Sequence, residues 1–315
     1  MCLYAQVFDP PPPDASPLFD SVRNVVFFGY GTLQAGGPAL RAYTNGHQRG
    51  GDIDLFKDFP GLQYAVVNSF AAGPADTSML AAVLGYGNKV VRHVLLSFGD
   101  RGQLLKIWDT DPYYTYALAI DADGDVYTLA VRTDVNDKNG PDYPVLIRYR
   151  PDGRVAQKSL PKSIFRGSTA QAITPAGGTI LPVLRVKDDR VYVFAPLTRE
   201  VVMGTKKGGA WERYQLSGIR VQRANTKSEI RNVDFASNGD LVVEVRARTQ
   251  TGPVTELQRI NARTGEINTI KRLAGNGPGM FMGVFDDRYA EIIRDLSGKK
   301  VFTMTPFSTE GTNQK

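Results

Sequence analysis

A hydrophobic hairpin with a glycine- or aspartate-rich tip returns about every fifty residues along this chain, and that repeat constrains the fold more than anything else in it. It reads Leu40-Arg41-Ala42-Tyr43-Thr44-Asn45-Gly46, then Val94-Leu95-Leu96-Ser97-Phe98-Gly99-Asp100-Arg101-Gly102. It returns as Leu146-Ile147-Arg148-Tyr149-Arg150-Pro151-Asp152-Gly153 and as Leu257-Gln258-Arg259-Ile260-Asn261-Ala262-Arg263-Thr264-Gly265. Strand units at this period bury their apolar faces only by stacking on one another, and radial stacking of four-stranded sheets gives a β-propeller.

From Val22 onward helical periodicity is nearly absent, whereas short runs of Val, Ile, Tyr and Phe alternate with Gly, Asn and Asp tips, so the chain reads as all-β. The clearest four-stranded unit spans residues 116–153, with a first turn at Asp121-Ala122-Asp123-Gly124. Equivalent first turns fall at Asp188-Asp189, Ser237-Asn238-Gly239 and Asp286-Asp287. Tips of this composition supply the positive φ of a tight hairpin. The last unit, residues 280–307, has room for only three strands, so the spacing predicts that the amino-terminal residues supply the fourth and close the ring. Closure of that kind removes two exposed sheet edges. Counting tips predicts six blades, or five if residues 24–56 complete the last blade. Residues 1–21, with Pro10 to Pro13 in a row and Pro17 beyond, read as an extended leader, and residues 22–315 as a single propeller domain.

With 42% hydrophobic and 22% charged residues the chain has material for a core and is not of disordered composition. No run approaches the roughly 18–20 apolar residues of a membrane-spanning helix. Met1-Cys2-Leu3-Tyr4-Ala5-Gln6 lacks a charged start, yet with the Pro-rich segment behind it resembles the tail of a secretory signal. This predicts an extracellular or periplasmic monomer, an ordinary cytoplasmic terminus being the alternative. Cys2 is the sole cysteine, which excludes an internal disulfide. Residues 1–204 carry 20 basic and 20 acidic side chains and residues 205–315 carry 18 and 12, so the net charge of +6 arises in the last third. There Lys206, Lys207, Arg213, Arg220, Arg223, Lys227 and Arg231 cluster, either as an anion-binding patch or as a solvated face interrupted by Glu212 and Glu229.

Leu273-Ala274-Gly275-Asn276-Gly277-Pro278-Gly279-Met280-Phe281 resembles the inter-blade connection of NHL-repeat propellers. Ile120-Asp121-Ala122-Asp123-Gly124-Asp125-Val126-Tyr127 and Tyr149-Arg150-Pro151-Asp152-Gly153 are similar to the two hairpins of that repeat. The resemblance implies a six-bladed ring at superfamily level. The related gluconolactonase and SMP-30 type would imply a divalent metal held in the channel by an early Glu, Asn residues and an Asp, but no Glu precedes Glu200.

Function in such a scaffold resides in a few loop residues. Those that converge on the channel mouth in a propeller reading are Gln63, Asn68, Asp111, Tyr113, Tyr114, Arg231 and Asn232, the alternative being that they cap backbone groups or pack between blades. Asp134, Asn136, Asp137 and Asp142 have a spacing close to a calcium loop, with the glycine one residue late and no closing Glu, so calcium is an optional ligand and no other cofactor is expected. His47 and His93 have no partner nearby in sequence, and Ser97 lacks the glycine of a nucleophile elbow. Gly204-Thr205-Lys206-Lys207-Gly208-Gly209 lacks the Lys-Ser or Lys-Thr and the helix of a phosphate loop. The sequence thus predicts a non-catalytic module binding a small molecule, glycan or protein around its channel. A metal-dependent hydrolase is the first alternative; a nucleic-acid-binding module is the less favoured second.

Overall fold

The computed structural model describes residues 4–74, 76–87, 90–136, 140–176, 180–221, 228–274, 279–295 and 297–307. After β1 (Tyr4–Val7), the strands β2 (Ser16–Asp20), β3 (Val25–Gln34), β4 (Leu40–Thr44) and β5 (His47–Ile53) form the first antiparallel unit. A helical turn, α1 (Leu55–Asp58), is capped by the Asp54 carboxylate and leads to the second unit. This comprises β6 (Tyr64–Ala72), β7 (Ser78–Tyr86), β8 (Val90–Phe98) and β9 (Leu104–Asp109). The two units are joined into one sheet because β3 pairs with β4 over residues 25–28 and with β6 over residues 31–34.

Three separate four-stranded sheets follow. The first holds β10 (Tyr113–Ile120), β11 (Val126–Arg132), β12 (Pro144–Tyr149) and β13 (Val155–Pro161), the second β14 (Val183–Lys187), β15 (Arg190–Ala195), β16 (Glu200–Thr205) and β17 (Glu212–Gln215). The third holds β18 (Ser228–Phe235), β19 (Leu241–Thr249), β20 (Gly252–Ile260) and β21 (Ile267–Ala274). Finally β22 (Gly279–Phe285), β23 (Arg288–Arg294) and β24 (Lys300–Pro306) take β1 as their fourth strand, Tyr4 opposite Met304 and Val7 opposite Val301.

The first strands of successive units touch in a cycle: β2 on β6, then β10, β14, β18, β22 and back to β2. The molecule is a β-propeller closed by an amino-terminal strand, as the three-strand last unit predicts. Within residues 1–21, β1 is a strand of the last sheet and β2 a strand of the first, and the Pro-rich stretch between them crosses the seam. Tyr4 and Ala5, which resemble a signal tail in sequence, are paired with Met304 and Thr303.

Apolar layers lie between successive sheets. At the seam, Val26, Phe28 and Tyr43 of the first unit meet Met282, Ala290, Phe302 and Met304 of the last, with Phe8 among them. Phe8 is 3% exposed and stands edge-on to Phe28 at 5.2 Å and to Tyr43 at 5.0 Å, an arrangement the ring quadrupoles favour. Nearby, Asp9 N donates to Gly46 O (2.8 Å) and Gln48 N to Asp9 O (3.2 Å), so the segment that leaves β1 in the last sheet is fastened to the β4–β5 hairpin of the first.

The recurring tips are explained by what they touch. Gly46, at φ +76°, has backbone so close to β1 that an added Cβ would lie 2.8 Å from Val7 O, and one on Gly153, at φ +87°, would lie 2.6 Å from the Trp108 indole nitrogen in β9. Gly102 meets β5 and Gly208 meets β13 in the same way, each the outermost strand of the preceding unit. In the unit of β18 to β21, Arg263 makes the corresponding reach as an ion pair with Glu212 in β17 (3.4 Å). Nearer the axis, side chains of one sheet capture backbone N–H groups of the next: Asp20 accepts from Ala72 N (2.8 Å), Ser69 from Leu118 N (2.9 Å) and Asp234 from Val284 N (2.8 Å).

Substituting Phe8→Ala empties the centre of the seam core and is expected to cost about 3 kcal/mol in urea unfolding, within the range for a buried aromatic. A loss below about 1 kcal/mol would show that Phe8 does not hold the seam.

Candidate functional site

Four of the axial strands carry a β-bulge at an equivalent place. Asn68 in β6, Tyr116 in β10, Arg231 in β18 and Met282 in β22 are each an extra residue with no partner on the next strand. A bulge turns its side chain out of the strand's alternation, and bulges recur next to binding sites. Asn68, Tyr116 and Met282, with Ser69, Asn232, Asp234, Leu18, Phe70 and Val183, line a small axial cavity of about 130 Å³.

The structure brings together three of the residues that the sequence singles out. Tyr114 donates from its hydroxyl to Asn68 Oδ1 (2.9 Å), and His93, edge-on to the Tyr114 ring at 5.4 Å, has Nδ1 2.6 Å from Asp111 Oδ1. His93 therefore has a partner that its immediate sequence does not show. The β8–β9 pairing continues past Asp109 to Thr110 N on His93 O, which brings Asp111 alongside. Desolvation raises the phenols of Tyr30 and Tyr114 and pushes Tyr116 up to about 12, so these rings are neutral at physiological pH.

The other candidates are placed differently. Tyr113 faces inward, because alternation along β10 buries Tyr113 and Thr115 on one side and sends Tyr114 to the other; the Lys158 ammonium lies 5.1 Å from its ring centre. Gln63 is exposed just before β6. Asn232 donates to Phe281 O (2.6 Å) and accepts from Val233 N, and Arg231 pairs with Glu229 (2.9 Å). Both Asn232 bonds are to backbone groups.

Asp134 is engaged by Arg132 (2.5 Å), and Asp142 accepts from Ser163 N and Oγ (3.2 and 2.6 Å). Asn136 O accepts from Gly140 N (2.7 Å), and Asp137 lies outside the described residues. The first acidic cluster is a hydrogen-bonded tip: Asp121 accepts from Asp123 N and Asp125 N and is paired with Lys206 at 3.0 Å. Lys206 is thus drawn out of the basic cluster towards a neighbouring sheet, and Arg213 lies 3.7 Å from Glu200. Trp211 packs on the core against Gly204, while Arg223 and Lys227 lie outside the described residues.

At the axis, the donors suited to a divalent metal are few. Asp234 is buried and already accepts from Ser21 Oγ, Phe235 N and Val284 N, while Arg185 donates to Phe235 O beside it. Burial pushes the Asp234 carboxyl up against the pull of Arg185. One such carboxylate with two committed amides does not fit a hard cation seeking several ionised oxygens.

A much larger concavity than the axial one is at the seam. A groove of about 770 Å³ opens between the first and last sheets, within the size range of small-molecule sites. Its lining includes Tyr30, Leu33, Phe56, Met280, Ile292, Arg294 and Lys300. A second concavity of about 640 Å³ lies on the other side of the Pro-rich crossing, and Asp14, Arg294 and Lys300 border both. The sequence gives no sign of this groove, because its walls come from opposite ends of the chain.

No family model matches the chain, and no curated protein matches it. Among solved structures, a candidate exported protein of Bacteroides fragilis superposes with a TM-score of 0.53 at 10% identity, over 98% of this chain and 95% of its own. A luciferin-regenerating enzyme gives 0.49 at 12% identity, over 98% and 96%. A gluconolactonase of Xanthomonas campestris gives 0.41 at 12%, over 96% and 99%. The first is a likeness of fold alone. No helix among the described residues is long and apolar enough to cross a membrane.

Between the last two sheets, Glu244 lies with Thr255, Lys271 and Glu291 around a cavity of about 20 Å³, and Lys271 pairs with Glu291 at 2.9 Å. Burial, reinforced by Glu291, pushes Glu244 from 4.5 up to about 7. The folded state therefore holds a proton that the unfolded state releases, and stability falls as pH rises between those two values. Glu244→Gln is expected to abolish that fall and to add of the order of 2–3 kcal/mol at pH 8. Urea melts at pH 5, 6, 7 and 8 check this; parallel pH profiles for the two proteins would contradict it.

Proposed function

We propose that this protein is a non-catalytic binding module that seats a small ligand in the seam groove, beside the channel mouth. The observation that carries this reading is the 770 Å³ groove between the first and last sheets, with Met280 52% exposed in its wall. An exposed thioether beside Tyr30, Leu33 and Phe56 adapts to varied apolar shapes. The axial cavity is far smaller, and the Asn68 and Asn232 side chains there are already hydrogen-bonded. In this proposal the fused sheet counts as two blades, giving six, and the NHL-like stretches at residues 120–127 and 149–153 are the first and second hairpins of one blade. Export belongs to the same proposal; cleavage after Ala5 would divide β1, so processing would have to fall before Tyr4.

A catalytic reading has one observation in its favour, the 2.6 Å His93–Asp111 contact, which suits a general base held in one tautomer. Lactone or ester turnover by the purified protein, abolished in His93→Gln, would favour that reading over ours.

The binding proposal is tested by thermal-shift screening of small amphiphiles against the native protein and Met280→Trp, whose bulkier indole would narrow the groove at its apolar wall. Shifts seen with the native protein are expected to disappear in the variant. Shifts of equal size in both would place the ligand elsewhere.

A further inference from the structure

Resting on the seam-groove reading, we infer that its ligand is an amphipathic anion, a carboxylate on an apolar body. Two cations border the groove without an acidic partner among the described residues. Arg294 donates to Gly298 O (2.9 Å), a neutral carbonyl of its own turn. The Lys300 ammonium lies 5.1 Å from the centre of the Phe28 ring. A guanidinium and an ammonium bordering one concavity provide a fork and a point charge for a carboxylate. Next to them Leu33, Phe56, Met280 and Ile292 offer apolar wall to the rest of the molecule.

Two acids also line the groove, and they decide the sign of charge that fits. The Asp54 carboxylate is committed to the α1 turn, accepting from Phe56 N and Lys57 N at 3.1 and 3.3 Å. Asp14, on the Pro-rich crossing, stands alone against Arg294 and Lys300. Arg294, Lys300 and Asp14 border both concavities whereas Asp54 borders only the groove, so the end they share carries two cations to one acid, and Asp14 weakens the hold on an anion instead of supplying a seat for a cation. A neutral amphiphile would gain the apolar wall only.

Isothermal titration of the full chain with decanoate, decanol and decylamine at moderate salt tests the assignment. Decanoate is expected to bind at least tenfold more tightly than decanol, a difference of about 1.4 kcal/mol, with decylamine weakest. Arg294→Gln with Lys300→Gln should bring decanoate down to the level of decanol, and Asp14→Asn should tighten decanoate about threefold. These side chains border an open groove, and unchanged melting temperatures would show that the variants fold. Equal or tighter binding of decylamine, decanoate affinity indifferent to the paired substitution, or binding to anionic vesicles without binding to free decanoate would overturn the inference. If decanol or decylamine binds in a manner blocked by Met280→Trp while decanoate does not, the anion assignment fails and the groove reading stands. If decanoate binds equally to native protein and Met280→Trp, both fail.

Discussion

The pairing of β1 with β24 is the contact on which the rest of the molecule depends. Elsewhere the strands pair almost entirely with their neighbours in sequence, which needs only short turns, the β3–β6 pairing being a local exception. The last sheet instead takes its fourth strand from residues almost three hundred positions away. Without it two things are lost together: the hydrogen-bonded edge of β24, and the anchorage of Phe8 between Phe28, Tyr43 and Phe302. The seam is also the one place where neighbouring sheets come from opposite chain ends. Its geometry is set by ring closure, and the 770 Å³ groove opens there.

Around the rest of the ring, the same few devices repeat. A glycine tip lies flat on the outermost strand of the preceding sheet, and a short polar side chain near the axis takes a backbone N–H of the next. The outer contact needs close backbone approach, which explains why glycine recurs at the tips that mark the repeat. The inner contact needs only a carboxylate or hydroxyl on the first strand of a unit, which Asp20, Ser69 and Asp234 each supply. These acceptors are committed to holding sheets together, and they leave the axial cavity few free oxygens.

Much of the fold was legible from local signals. Tip spacing, period-two runs and the three-strand last unit foretold an all-β ring closed by its amino terminus, because hairpin chemistry is written in adjacent residues. The closing strand was legible without its bounds: Tyr4 to Val7, like Ser16 to Asp20 with Pro17 inside it, is too short to mark itself, and only the partners at 301–304 and in β3 fix where these strands fall. The site was less legible still. Asn68, Tyr114 and Asp111 do come together, but through His93, whose partner depends on strand register. Tyr113 was lost to the core by simple alternation. The groove lined by Tyr30, Met280, Arg294 and Lys300 has no local signature at all, since it exists only once the ends of the chain have met.

Native-state hydrogen exchange on the β24 amides that face β1 tests the central claim most directly. If the ring is closed by β1, the protected amides among residues 301–304 exchange only with global unfolding, as slowly as those in the middle of β19. Exchange of both β24 and β1 at rates typical of an exposed loop, while β19 stays protected, would show an open ring and contradict the account of the seam.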